Sequence, residues 1–438
     1  MVWECRRNQT DTEGTGSSMK STISPKQLDA SYMLRNKDIP LIRFSLHQTL
    51  TQGFGEQQHV YSVHITEINE EKVHLLPYAL RHNRTDRALL TWIDRRKAPK
   101  NRQFVEKIMK AIEDDGNPLR YVDISHALSL NDTLWITNDS FDIKWKDFNL
   151  YDHPFDDVLA YVAFSGYSKR VTGVISSPEL TSSGVLKKCW LKRPEGIYLL
   201  KGDDFLLRPD GRSQATMEYY AAQVAAVMNF DHIDYDLELF HHRDGVKEII
   251  CNCKLFTSED IGFVNAYDFF RDRSINVAEE DLSRLDIQEQ MAYTYGLKDY
   301  QDMMVFDSII CNQDRHLGNF GYLVDNNTGH YRRPAPLFDN GLSLLLGAAR
   351  NDMAHVDDYL ETVRGKYLDF DTQARLFTAS RHLPQIRSLL NFRFKKHPQY
   401  NVTDDTLDKM SYLVQKRVHR ILEIYQEKKR QHRETLTR

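Results

Sequence analysis

Apolar positions change their period along the chain, and the changes mark out its elements. His59-Val60-Tyr61-Ser62-Val63-His64-Ile65 alternates polar and apolar residues, which predicts a half-buried strand, and helical spacing follows around Phe104 to Ile112. Trp190 to Arg193 and Gly196 to Gly202 read as two strands turning at Pro194-Glu195-Gly196; in the second, Ile197, Leu199 and Lys201 share one face. A helix through Met217 to Met228, capped by Ser213, is apolar on more than one face. Leu237 to His242 and Val246 to Phe256 predict a hairpin around Arg243-Asp244-Gly245. Residues 320 to 324 and 330 to 337 predict another, around the turn formers Asp325-Asn326-Asn327-Thr328-Gly329. Beyond Gly347 the period is helical, at Phe370 to Phe377, Gln385 to Phe392 and Leu407 to Gln426.

Length and composition bound what these elements can build. With 438 residues, 41% of them hydrophobic, the chain can bury more than one core, so two or three domains are expected. Five irregularly spaced cysteines argue against a disulfide framework and for a reducing, cytoplasmic setting. No apolar run reaches membrane-spanning length, and the first residues lack the apolar core of a secretory signal. Residues 1–28, rich in Thr, Ser, Gly, Asn and charge, read as a disordered or extraneous tail, with Met19 and Met33 as alternative starts.

The candidate chemistry lies between Asn312 and Leu344. Asp314 and Asn319 stand five apart in a polar loop after the apolar run Met303 to Ile310, and Asp339 closes a short apolar segment before Asn340-Gly341. A phosphoryl group in transfer asks little covalent chemistry of a protein: it needs positioning and neutralisation of charge. One carboxylate orients the acceptor hydroxyl and takes its proton, while a carboxamide and a second carboxylate hold Mg²⁺ through oxygen. Asp314 fits the first role; Asn319 and Asp339 fit the others, brought together by the predicted hairpin. Either residue type alone is more often a turn former or a cap. Together with His316 they point to phosphotransfer.

Such a site also needs a cation for the nucleotide phosphates. Lys201 ends an apolar strand face, and Glu218 interrupts the apolar surface of the following helix, sharing a stripe with Ala221, Ala222 and Ala225. A strand-end lysine is ordinarily an edge residue, and a glutamate near a helix start is ordinarily solvated. A buried carboxylate is costly unless paired, which makes Lys201 its natural partner. Upstream, the small-residue loop Ser177-Pro178-Glu179-Leu180-Thr181-Ser182-Ser183-Gly184 could cradle phosphates with backbone amides, or be an ordinary surface turn.

The run DRHLGN followed by LFDNG resembles HipA-type serine/threonine kinases and, behind them, the phosphatidylinositol kinases, although Asn340 stands where the lipid kinases have Phe. GIYLLKG followed by EYYAA resembles the HipA nucleotide lobe in order and spacing, and Lys254-Leu255-Phe256-Thr257 resembles the interlobe hinge. The segments WIDRRKAPKNR, SLNDTLWI and WKDFNLYDHPF resemble the region that precedes the kinase in HipA-like proteins. The resemblance implies an α+β, bilobal protein-kinase-like fold, with a small β-rich nucleotide lobe, a larger helical lobe and an N-terminal α+β accessory module. Its boundaries would be a tail at 1–28, the accessory module at 29–165, the nucleotide lobe at 166–258 and the helical lobe at 259–438. It implies ATP and Mg²⁺ as cofactors, with Asp314 and His316 catalytic, and Asn319 and Asp339 on the metal. Lys201, Glu218, Ser182, Ser183, Gly184, Leu255 and Phe256 would bind nucleotide. It further implies a Ser/Thr protein acceptor, phosphorylation of the enzyme's own loop at Thr181, Ser182 or Ser183, and a cognate antitoxin or regulator as partner.

Several rival readings remain. His316 either supports the loop or stabilises transferred charge, according to whether it is buried against backbone or faces the cleft. Arg315 is expected to be a surface or lobe-packing side chain. His241, His242, Cys251 and Cys253 could meet across a hairpin, but no second Cys pair completes a zinc set, and alternation suits Cys251 and Cys253 to a core. Arg95, Arg96, Lys97, Lys100 and Arg102 form a basic cluster, yet a net charge of −4 gives no general attraction to nucleic acid, so direct binding is not expected. The basic run Lys428 to Arg433 reads as a frayed helix end. A lipid or small-molecule alcohol acceptor is an alternative; phosphoinositide headgroups would require a basic, apolar-tipped loop beside the cleft, and the segment after Asp339 offers only Arg350. A kinase fold kept as a weakly active binding module is the remaining alternative.

Overall fold

The computed structural model describes residues 31–53, 56–111, 118–167, 177–182, 184–203, 208–243, 245–349 and 355–436. The expected tail at 1–28, Ser183, Asp244 and Arg350 lie outside the described residues.

Three antiparallel sheets carry the strands. The first is built from β1 (Ser31–Asn36), β2 (Ile39–Gly53), β3 (Glu56–Ile68) and β4 (Leu134–Asn138), in the order β3-β2-β1-β4. Leu34, Ile42, Phe44 and Leu46 of this sheet bury against Leu89 and Ile93 of the helix Asp86–Arg96 and Ile108 of Val105–Ala111, in a core that also takes in Leu159, Val162 and Leu180.

The second sheet holds β5 (Lys188–Arg193), β6 (Gly196–Lys201), β7 (Tyr235–His241) and β8 (Lys247–Lys254), in the order β5-β6-β8-β7. It is buried on both faces. Leu200, Cys189 and Ile250 pack on Phe164 and Ala160 of the helix Asp157–Ser165, while Leu237, Cys251 and Cys253 pack under Ala215 and Ala222 of the helix Gln214–Val227. Cys251 and Cys253 are core side chains, His242 bonds Glu248 at 2.9 Å, and His241 is exposed, so these four do not converge.

The third sheet, β11-β10-β9, consists of β9 (Ile261–Asn265), β10 (Gly321–Asp325) and β11 (Tyr331–Pro334). The rest is helical. Leu407, Met410, Val414, Val418 and Ile421 recur every three or four residues along the helix Asp404–Leu436 and bury against Phe306, Ile309 and Ile310 of the helix Leu297–Ile310. Two expectations shift here. The pattern at Gln385 to Phe392 folds as a shorter helix, Leu383–Ser388, whose Pro384 fits its first turn, and the basic run Lys428 to Arg433 is an exposed continuation of the last helix, not a frayed end. Among the described residues no helix is long and apolar enough to cross a membrane.

The basic cluster of the first module disperses on folding. Arg96 forks onto Asp132 at 2.5 and 3.0 Å and onto the Ala127 and Leu134 carbonyls. Arg102 is fully buried, donating to Glu179 Oε2 at 2.7 Å and to the Glu179 and Lys188 carbonyls. Two of the five cations in that row are therefore spent inside the fold.

Candidate active site

Lys201 ends β6 opposite Lys188 of β5, and the face it extends turns toward the helix Gln214–Val227. That helix starts at Ser213, whose hydroxyl accepts the Thr216 N–H at 3.1 Å while Thr216 accepts the Ser213 N–H at 2.9 Å. The cap places Glu218 in the second turn, with no exposure. The Lys201 ammonium donates to Glu218 Oε1 at 2.6 Å and to Asp339 Oδ1 at 2.5 Å. The other Glu218 oxygen accepts the Asn340 N–H at 2.7 Å. One lysine and one glutamate thus tie the small lobe's sheet to the segment that carries Asp339.

Asp339 adopts a left-handed backbone, φ 56°, in which its N–H reaches the Tyr235 hydroxyl at 3.2 Å. Such a conformation is uncommon for a residue with a side chain and persists where surrounding contacts hold it. Burial pushes the Asp339 carboxyl up, but the Lys201 ammonium and then Lys188 outweigh it and hold the group well below the usual carboxylate range. Lys201 itself is moved well above its ordinary value, because its two carboxylate partners outweigh the cost of its burial.

The loop that carries Asp314 and Asn319 hangs on Arg315. Its guanidinium is buried, forks onto both oxygens of Asp307 at 2.9 Å, and donates to the Asn319 carbonyl at 2.8 Å, the Phe338 carbonyl at 2.6 Å and Asn340 Oδ1 at 2.6 Å. The expectation of a surface or lobe-packing side chain is corrected: Arg315 joins the loop of Asn319 to the segment of Asp339 through five bonds that a planar fork can make at once. Asp307, from the apolar helix Leu297–Ile310, also takes Asn312 Nδ2 at 3.0 Å, and Asn312 in turn accepts the Asp314 N–H at 3.1 Å.

Asp314 remains partly exposed, its side chain at 36%. Burial raises its pKa, the nearby Asp339 charge adds to the rise, and His316 and Lys366 oppose it. His316 has both features set against each other above. Its Nδ1 accepts the Gly318 N–H at 2.9 Å, a bond to backbone, yet the ring is 44% exposed and its Nε2 stands 4.0 Å from Asp314 Oδ2. With Nδ1 accepting, the proton of the neutral ring lies on Nε2, on the side of Asp314. A Cβ at position 318 would lie 2.7 Å from the His316 ring, so any larger residue there would have to displace that ring.

Oxygen donors suited to a hard cation are present. Asn319 Nδ2 donates to the Asp314 carbonyl at 2.9 Å, which commits the amide nitrogen and leaves Oδ1 as the free donor end, and Asp339 spends only Oδ1 on Lys201. Among the described residues no three His, Cys, Asp or Glu side chains form a metal cage. A Mg²⁺ that is held chiefly by nucleotide phosphates needs only one or two protein oxygens, so Asn319 and Asp339 fit it.

The remaining candidates are spread around this cluster. The Ser182 hydroxyl donates to the Pro178 carbonyl at 2.8 Å and accepts Trp190 Nε1–H at 2.8 Å, so it is occupied within its own loop. Gly184, at φ 89°, lies where a Cβ would meet the Lys188 ammonium at 2.2 Å. Phe256 lies tilted beside Phe338, the residue directly before Asp339, with ring centroids 5.5 Å apart. Leu255 turns the other way, against Trp145 and Leu150 of the first module, and its N–H is taken by the Ile197 carbonyl at 2.8 Å. Lys188 was not singled out from sequence. Burial and the Lys201 charge lower its pKa to about 7, and its cross-strand position beside Lys201 is the signal that pairing the two predicted strands residue by residue would have exposed.

No protein-family model matches this chain, and no curated protein matches it. Solved structures do. The chain is similar to HipA of the Shewanella oneidensis MR-1 toxin–antitoxin system, solved with HipB and its operator DNA, at a TM-score of 0.51 and 11% identity over 90% of this chain and 99% of that one. The fold is HipA-like. It is also similar to the Helicobacter pylori proinflammatory kinase CtkA, at a TM-score of 0.41 and 16% identity, covering 56% of this chain and 91% of that one. The molecule is accordingly α+β with a bilobal, kinase-like body, and the Lys201, Glu218 and Asp339 cluster joins its two lobes.

Proposed function

We propose that this chain is an ATP- and Mg²⁺-dependent kinase that transfers the γ-phosphate to a Ser or Thr hydroxyl of a protein. The observation that carries the reading is the single ammonium of Lys201, 2.6 Å from Glu218 and 2.5 Å from Asp339. A buried lysine held between two carboxylates from different lobes is an expensive way to pack a core, and it serves a site where nucleotide phosphates and a cation must meet.

Each residue then has a task. Bound Mg²⁺ would neutralise charge on the phosphates, with Asn319 and Asp339 as its protein oxygens. Glu218 holds Lys201, and Lys201 aligns the phosphates beside Lys188. Asp314, its carboxyl raised by burial, orients the acceptor hydroxyl and takes its proton. His316 directs Nε2 toward Asp314 and the incoming hydroxyl. Phe256, next to Phe338, lies where an adenine ring would pack, and Gly184 gives the small-residue loop room beside Lys188. The same loop supplies Thr181 and Ser182 as hydroxyls for self-phosphorylation, and release of Ser182 from Trp190 and Pro178 would be the step that exposes it. A cognate antitoxin is the partner suggested by the HipA–HipB complex.

Mass spectrometry of the purified chain after incubation with ATP and Mg²⁺, beside Asp314→Ala, tests the reading. The intact protein is expected to gain phosphate on Ser or Thr and the variant none; equal modification of both would remove Asp314 from catalysis.

A further inference from the structure

Beside the catalytic loop, between the helix Asp86–Arg96 of the first module and the helix Ala266–Asp272 of the larger lobe, lies a cavity of about 610 Å³ that the chemistry above does not use. Arg87, Thr91 and Arg95 line it at intervals of four, one face of the first helix. Arg271 lines it from the opposite wall. The guanidinium carbons of Arg95 and Arg271 stand 5.5 and 5.4 Å from the centroid of one ring, Tyr267. Neither is ion-paired among the described residues, unlike Arg96, which is spent on Asp132. Two like charges gathered at one phenol repel each other; the Asp268 carboxylate attracts both and offsets part of that cost, and a further anion between them would remove more of it.

Two further observations say what the anion belongs to. Asp268, on the same wall, has its Oδ1 buried without a hydrogen-bond partner, although Oδ2 takes Asn265 Nδ2 at 3.2 Å. A ligand for this cavity must therefore bring hydrogen-bond donors as well as negative charge. An acidic peptide does both through its amides and carboxylates, whereas a phosphodiester backbone presents acceptors to Asp268. The cavity also reaches the chemistry: Gly318 lines it, and the Tyr267 N–H donates to the Leu317 carbonyl at 3.3 Å, in the loop that carries Asp314.

We infer that this cavity is the docking groove for the acceptor protein, and that it selects a segment with acidic side chains flanking the Ser or Thr presented to Asp314. This rests on the kinase reading above. Arg95 and Arg271 bind the acidic side chains, Tyr267 supplies a flat contact between them, and Asp268 Oδ1 accepts a backbone N–H of the segment.

The test is fluorescence anisotropy of two labelled peptides, each with one Ser, flanked by Glu in the first and Lys in the second. They are titrated without nucleotide into the full chain, into Arg95→Glu, Arg271→Glu and the variant carrying both reversals, and into the milder Arg95→Gln. The Glu peptide is expected to bind the intact chain, to lose about tenfold in affinity at each charge reversal, and to lose less at Arg95→Gln; the Lys peptide is expected to gain at the double reversal. Unchanged affinity for the Glu peptide in both reversals would overturn the inference. So would a single-stranded oligonucleotide that binds more tightly than the Glu peptide through the same arginines. Binding is read apart from turnover, which separates the two readings. An arginine-dependent complex that receives no phosphate would defeat the kinase reading and leave the groove, whereas equal phosphorylation of both peptides would defeat the groove and leave the kinase.

Discussion

Arg315 shows most clearly what a motif conceals. Its neighbours Asp314 and Asn319 draw attention because their chemistry is recognisable, while the arginine between them looks like loop decoration. Besides the nearby Asn319 carbonyl, its acceptors are Asp307, eight residues upstream in an apolar helix, and Phe338 and Asn340, over twenty residues downstream, so little in the local pattern announces it. Removing it strands a buried Asp307: Arg315→Ala is expected to cost about 3–5 kcal/mol in urea unfolding. Arg315→Lys keeps the charge but not the fork, and should stay folded while losing phosphotransfer, read as phosphate incorporation at saturating ATP. A lysine variant with full activity would show that charge alone suffices. By contrast Lys201 and Glu218, inferred as partners from strand alternation and a helix stripe, lie 2.6 Å apart, because both periods were local and legible.

At the scale of elements, hairpins were easier to foresee than helix ends. The hairpin of β10 and β11 turns on Asp325, whose carboxylate accepts the N–H groups of Asn327 and Thr328 at 2.8 and 3.0 Å, a turn that side-chain chemistry dictates. Apolar spacing places the helix Leu383–Ser388 too far along the chain, because Leu389, Leu390 and Phe392 continue an apolar rhythm after the backbone has left the helix. The helix Phe370–Phe377 matches its predicted bounds, and its Asp371 is tied to Arg417 at 2.9 Å and Arg420 at 2.8 Å of the long last helix. Burial raises the Asp371 carboxyl, but Arg420 and Arg417 outweigh it and leave the folded value below the ordinary one. A depressed carboxylate contributes stability that is present above its unfolded pKa of about 4 and lost as pH falls through the folded value. Between pH 5 and pH 3, thermal melting should therefore fall less steeply for Asp371→Asn than for the intact chain; parallel curves would deny the pair this role.

The whole molecule is held together by contacts that no sequence pattern shows. Asn36 of the first sheet donates to the Asn326 carbonyl at 2.7 Å, and the Tyr78 hydroxyl to the Gly329 carbonyl at 2.9 Å, so the first module docks on the turn between β10 and β11. Its second anchor is Arg102, buried with Glu179, whose Oε1 also takes the Trp190 N–H at 2.7 Å in β5 of the second sheet. Their partners are 77 and 290 residues away, which is why a bilobal body with an added α+β module could be expected but its docking could not. Glu179→Ala leaves a buried guanidinium without its carboxylate and is expected to cost about 3–5 kcal/mol, with Glu179→Gln costing less. Chemical unfolding checks both, and an unchanged midpoint for the alanine variant would show that the anchor carries no weight.

The central claim is that Asp339, held by Lys201, closes a phosphate and cation site between the lobes. Calorimetric titration of ATP into the full chain, with and without Mg²⁺, beside Asp339→Ala, tests it most directly. The account predicts tighter nucleotide binding with Mg²⁺ for the intact protein and no response to Mg²⁺ in the variant. An equal response to the ion in both proteins would contradict it.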